Sequence, residues 1–173
     1  IADGIAVKRP GDMTFAIINE LVDDVVEVTD DEIAQGIAHC VQHNRLVVEG
    51  AGATSVAALL ANKVLLRAND VACAVLAGGN IDGNLLSRVI EQVMVRDGRY
   101  MLVKLAMVDR PGSLSPLIQL VAANGANIID IFHRRALWLA PLGKVGLELV
   151  LEVRDQQHGS AVLQALSDAG YAV

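Results

Sequence analysis

The segment Val108-Asp109-Arg110-Pro111-Gly112-Ser113-Leu114 constrains the chain most, because it joins two different hydrophobic periodicities across a break. Before it, Leu102, Val103, Leu105, Met107 and Val108 lie among Lys104 and Asp109, close to the alternation of a half-buried strand. After it, Leu114, Leu117, Ile118 and Val121 recur at the spacing of one helical face. Pro111 and Gly112 interrupt the strand, and Ser113 is placed to accept backbone N–H bonds as an N-cap. A strand-turn-helix elbow is therefore predicted, with the helix opening at Ser113 or Leu114. The N–H groups and positive dipole end of that helix favour an anion, such as a carboxylate, over the Arg110–Ser113 turn. The plain structural reading is a tight turn of the kind common in α/β folds.

The plan changes near Arg96-Asp97-Gly98-Arg99, where charge and glycine interrupt the apolar pattern, and a domain boundary is expected there. From Tyr100 the predicted order is strand 100–108, helix 113–123, strand 127–135, strand 144–154, helix 156–169 and a last strand from Tyr171. That is βαββαβ, the α+β ferredoxin-like order. Gly125 closes the first helix as a left-handed cap. Residues 136–143, with Trp138, Pro141 and Gly143, form the hairpin loop, and Ile129, Ile131, Phe132, Leu147, Leu149 and Leu151 supply alternating faces. A sheet covered by helices on one side leaves its other face and its edges in need of a partner, which points to a homo-oligomer.

The preceding part reads as α/β. A helix over 15–22 opens at Asp12, Met13 or Thr14, and Val25–Val28 reads as a strand. Thr29-Asp30-Asp31-Glu32 is a capping box, because a hydroxyl and a carboxylate three residues apart can each take the other's backbone N–H. Its helix runs to about Asn44 and buries Ile33, Gly36, Ile37, Cys40 and Val41. His39 and His43 share a face at metal-ligand spacing, but no third ligand is in evident reach, so no metal is expected. Gly50-Ala51-Gly52-Ala53-Thr54 allows close backbone approach to a neighbour or ligand. Glu49 either sits on a pocket floor with a raised pKa or starts the next helix. Val71–Ala77 reads as the clearest buried strand. It ends in Gly78-Gly79-Asn80-Ile81-Asp82-Gly83, placed to contact a cofactor edge beyond a strand end, and a helix follows over 85–95.

Charge and composition narrow the function classes. A net charge of −6 and no basic stripe argue against nucleic acid. No apolar run is long enough to span a membrane, so partners are expected to be small molecules or other subunits. Ile1–Val7 lacks the pattern of a signal peptide, and the chain looks cut rather than begun. Cys40 and Cys73 lie in apolar positions without metal spacing and are expected to be buried, reduced thiols of a cytoplasmic protein.

Two resemblances follow from these motifs. Residues 98–173 resemble an ACT domain, a small amino-acid-sensing module, through the elbow, Asn124-Gly125-Ala126-Asn127-Ile128 and Asp168-Ala169-Gly170-Tyr171. Residues 1–97 resemble the C-terminal portion of the catalytic domain of threonine dehydratase (threonine ammonia-lyase), a fold-type II pyridoxal phosphate enzyme. The matching pieces are Ile1-Ala2-Asp3-Gly4-Ile5-Ala6-Val7, Val48-Glu49-Gly50-Ala51-Gly52-Ala53 and Gly78-Gly79-Asn80-Ile81-Asp82.

The resemblance implies a parent reaction from L-threonine to 2-oxobutanoate and ammonia, or from L-serine to pyruvate, with pyridoxal 5'-phosphate held by a lysine. The four lysines Lys8, Lys63, Lys104 and Lys144 do not stand in the family's lysine motif, which would lie upstream of Ile1. Alone, this chain is expected to be inactive and not to bind the cofactor. Gly4, Glu49, Ala77 and Gly78 carry over as cofactor-side positions. At Ala77 the family commonly has Ser or Cys facing the pyridine nitrogen, so alanine leaves that nitrogen to water or weakens binding. The ACT resemblance implies an amino-acid effector (isoleucine, valine, threonine or serine) at Asp109, Arg110, Gly112, Ser113 and Leu114, with Asn127 and Ile128 as the facing strand. The alternative is an assembly module without ligand regulation.

Overall fold

The computed structural model describes residues 1–134 and 142–173. Arg135, Trp138 and Pro141 of the expected strand end and hairpin loop lie outside the described residues. The chain divides into two compact units, Ile1–Val93 and Met94–Val173.

The first unit holds helices α1 (Asp12–Leu21), α2 (Asp30–His39), α3 (Gly50–Leu60) and most of α4 (Gly83–Arg96), preceded by a short 3-10 turn at Asp3–Ile5. Its core is aliphatic and small, built from Ile33, Ile37, Cys40, Val48, Ala53, Ala57 and Val89. Gly36 lets α2 approach α3 closely, since a Cβ there would lie 2.9 Å from the Ala53 carbonyl oxygen. The expected capping box is present. The Glu32 N–H donates to the Thr29 hydroxyl at 3.2 Å, and the Thr29 N–H donates to the Glu32 carboxylate at 2.7 Å. Beyond α2 the backbone continues as a π-helical turn, Cys40–Asn44, and ends at Arg45 in the left-handed region. The rings of His39 and His43 meet there at a tilt of 37°, with centroids 4.6 Å apart.

The Thr29 N–H, and next the Lys63 ammonium at 3.3 Å, hold the Glu32 carboxyl below its ordinary pKa. A carboxyl depressed in the folded state adds stability above its unfolded value and loses it as pH falls through the folded value. Glu32→Gln should therefore flatten the acid-side loss of α2 amide protection, followed by hydrogen exchange across the acid carboxylate range. Superimposable wild-type and variant profiles would contradict this.

The expected strands and the expected burial of Cys73 are corrected. Val25–Val28 and Val71–Ala77 form no strand, and Val71 is 97% exposed. A strand needs a neighbour to take its N–H and C=O groups. The bonds recorded for residues 71–78 are single anchors, from Ser55 Oγ to the Val75 carbonyl at 2.9 Å and from the Glu49 N–H to the Gly78 carbonyl at 3.2 Å. Cys73, on this unpaired segment, is exposed, whereas Cys40 is buried and burial pushes its thiol pKa up. Helix α1 has no buried residue despite Phe15, Ile17, Ile18 and Leu21.

The second unit is an antiparallel sheet of β1 (Tyr100–Val108), β2 (Asn127–Arg134) and β3 (Lys144–Glu152), in the order β1-β3-β2, with helices α5 (Leu114–Ala123) and α6 (Gln156–Asp168). Register explains the core. Val103 pairs with Leu149, Leu105 with Leu147 and Met107 with Val145, so one parity of β1 and β3 shares a face. That face packs with Leu117 and Val121 of α5 and Val162 and Leu166 of α6. The expected final strand is reduced to one antiparallel bridge, Ala106 to Ala172. Gly125 has φ +74, and the Gly125 and Ala126 N–H groups donate to Ala122 and Val121, a Schellman closure of α5 as anticipated. Buried His158 ties the helices: its Nδ1 accepts the Arg154 N–H at 3.1 Å and its Nε2 donates to the Asn124 carbonyl at 2.7 Å. Among the described residues, no helix is long and apolar enough to cross a membrane.

Candidate functional site

Each unit carries a cleft at the residues singled out by sequence. In the first unit, Asp3 and Gly4 come from the 3-10 turn and Glu49 from the N-cap of α3. Asn80, Ile81 and Asp82 come from the turn before α4, and together these residues line a cleft of about 190 Å³. Glycines bring the pieces together. A Cβ on Gly78, whose φ is +101, would collide with the Glu49 carboxylate, and one on Gly52 would lie 2.5 Å from the Ala77 carbonyl oxygen. A Cβ on Gly4 would come within 3.1 Å of the Ala51 Cβ. The Asp82 carboxylate accepts the Asn84 and Leu85 N–H groups at 2.9 and 3.2 Å, so it also caps α4.

Of the four expected cofactor-side positions, Gly4 and Glu49 line the cleft, while Ala77 and Gly78 stand just behind it. Glu49 starts α3 without a side-chain cap bond, and it lines the cleft. Asp3 escaped sequence reasoning, and its only signal was its place within the matching Ile1–Val7 piece.

In the second unit the elbow forms at the expected residues, but by different bonds. The Ser113 side chain makes no cap bond. The Ser113 N–H donates to the Arg110 carbonyl and the Ser115 N–H to the Gly112 carbonyl, both at 3.2 Å, with Gly112 at φ +86. Pro116 has no N–H. The helix end therefore offers few amides to an anion, and the Arg110 guanidinium is the stronger partner on this turn.

A cleft of about 380 Å³ lies against the elbow, lined by Asp109, Arg110, Gly112 and Leu114 with Met107, His133 and Val145. Ser113 lines the elbow's other flank instead. Asn127 and Ile128 line neither flank: they pair with Glu152 and Leu151, at the end of the sheet away from Val108 and Lys144. His133 was missed because its approach depends on strand register, opposite Leu147, and not on its place in the chain.

Residues 1–78 match the family model of pyridoxal-phosphate dependent enzymes. Over all 173 residues the chain is 42% identical to an L-threonine ammonia-lyase of Thermotoga maritima and 43% identical to one of Geobacter sulfurreducens. It is also 43% identical over 90 residues to the catabolic L-threonine dehydratase TdcB of Escherichia coli K12, which covers 51% of this chain and 27% of that protein. The chain spans 43% of the length of each of the two ammonia-lyases.

The first cleft does not by itself suit that family's cofactor. Among the described residues its wall holds Asp3, Glu49 and Asp82 but no lysine or arginine. Lys63 is paired with Glu32 at 3.3 Å, and Lys8 is exposed. The residues present supply neither a cation for the phosphate nor an amine for the aldehyde. They do not fit the whole group and form one wall of such a site.

Proposed function

We propose that this chain is the C-terminal part of a threonine dehydratase, an incomplete pyridoxal phosphate domain followed by an ACT-type domain that senses an amino acid. The parent reaction takes L-threonine to 2-oxobutanoate and ammonia, with L-serine to pyruvate beside it. The cofactor is held largely by residues outside this chain, a lysine among them, with Gly4, Glu49, Ala77 and Gly78 on one side.

The observation that carries the regulatory reading is the elbow cleft, where Arg110 and Asp109 stand together beside Met107, Leu114 and Val145. A guanidinium takes a carboxylate, Asp109 takes an ammonium, and the apolar wall takes an aliphatic side chain. An effector bound there biases catalysis only through unequal affinity for two arrangements of the protein.

Calorimetry with isoleucine, valine, threonine and serine tests this reading. Heat of binding is expected for at least one, and Arg110→Met should weaken that binding by about 10-fold to 100-fold, as for the loss of a charged hydrogen bond. No heat and no thermal shift with any of the four would favour the second reading, an assembly module. That reading is supported by β2, an edge strand with Ile129, Ile131 and Phe132 exposed, on which a second copy could pair.

A further inference from the structure

The amino-acid reading uses one flank of the elbow. On the other lies a cleft of about 300 Å³ with Arg110 and Lys144 on its wall, Ser113 and Tyr171 beside them, and Met107 and Pro116 as apolar surface. Its shape comes from three local devices. Lys144 stands at the start of β3, opposite Val108. The Gly170 and Tyr171 N–H groups close α6 on the Ser167 and Leu166 carbonyls at 2.9 and 3.0 Å, with Gly170 at φ +86. The Ala106–Ala172 bridge then holds Tyr171 against the end of β1.

The two flanks differ in charge. The first contains Asp109, whereas among the described residues no aspartate or glutamate lines the second. Among the described residues, Lys63, Lys104, Arg99 and Arg134 each have a carboxylate within 4.0 Å, but Arg110 and Lys144 have none. Two unpaired cations at the mouth of a small, partly apolar cleft attract an anion, and nothing there compensates an ammonium.

We propose that this second cleft is a site for a small organic carboxylate that lacks an amino group, a short 2-oxo acid being the best chemical match. Its carboxylate sits between Arg110 and Lys144, with the short carbon chain over Met107 and Pro116. This site shares Arg110 and Met107 with the amino-acid cleft proposed above, but Asp109 and His133 belong to that cleft alone and Lys144 to this flank alone.

2-Oxobutanoate and L-2-aminobutyrate differ at a single carbon, and so separate the two flanks. Titrated into the isotope-labelled chain and followed by amide NMR, 2-oxobutanoate should shift Lys144, Gly170 and Tyr171. L-2-Aminobutyrate should leave those three amides in place, whatever it does at Leu114 and His133. Lys144→Gln should weaken 2-oxobutanoate binding by roughly fivefold while Lys144→Arg keeps it, since a screened surface charge is worth up to about 1 kcal/mol. An unchanged amide spectrum elsewhere would confirm that both variants fold. Three results would overturn the proposal: no shift at these amides, an affinity indifferent to Lys144→Gln, or inorganic phosphate binding there as tightly as the oxo acid. Failure of amino-acid binding at Leu114 and His133 would leave this site standing and remove only the previous reading.

Discussion

Gly52→Val should dismantle the corner of the first unit that brings Glu49 and Gly78 together. A Cβ at position 52 would stand 2.5 Å from the Ala77 carbonyl oxygen and 2.8 Å from Val48 Cγ1, so backbone has to move as well as a side chain. Overpacking of this kind costs about 1–3 kcal/mol, and a clash with main chain belongs at the upper end. The Ala77–Asp82 segment cannot step back without losing the Glu49 N–H bond to the Gly78 carbonyl. Urea denaturation should therefore show a lower midpoint, and hydrogen exchange at residues 76–81 should accelerate more than at Ile33 or Ile37. Gly83→Ala is the control: nothing lies within 4 Å of a Cβ there, so stability should hold or rise slightly. A Gly52→Val midpoint equal to the wild type would show that the two segments are not in register as described.

The larger effect is expected in the second unit. Leu149 sits in the middle of the central strand, opposite Val103 on one side and Ile131 on the other, and is 0% exposed. Truncation to alanine removes buried methyl groups and leaves a cavity, for about 2–5 kcal/mol. A domain of this size has roughly 5–15 kcal/mol to lose, and each kcal/mol moves its midpoint by about 4–8 °C. Leu149→Ala should thus lower thermal stability by at least about ten degrees, read by circular dichroism, with hydrogen exchange locating the loss in β1, β2 and β3. Both elbow clefts should fail with it, because Val145 and Lys144 reach them from the same strand. Leu102→Ala should cost within about 0.5 kcal/mol, as Leu102 lies on the opposite face of β1 and is 55% exposed. Equal melting of the two variants would mean that the faces of the sheet have been assigned the wrong way round.

Much of the fold was legible wherever the deciding interactions span a few residues. The Thr29–Glu32 box, the left-handed Gly125, the break at Pro111-Gly112 and the alternation through β1 and β3 are all local, and each stands where the residues placed it. Of the candidate sites, Gly4, Glu49, Asp109, Arg110, Gly112 and Leu114 line the clefts described. The misread segment is Val71–Ala77. Its apolar run has the composition of a buried strand, but strand formation depends on a neighbour that a run of residues does not specify. With no ladder beside it the segment forms no strand: Val71, Cys73 and Val75 are exposed, while Leu76 packs partly buried against the core of the first unit.

By itself the amino-acid sequence determined the capping box at Thr29–Glu32, the elbow at Pro111-Gly112 and the left-handed helix end at Gly125. These follow from short-range hydrogen bonding, backbone freedom and residue identity. Tertiary structure alone decided that the elbow has two flanks of unlike charge, that His133, Lys144 and Tyr171 belong beside it, and that Asn127 and Ile128 lie at the far end of the sheet. The physical reason is register: which side chains share a cleft depends on how strands distant in the chain are aligned, and a shift of one residue would turn each to the other face.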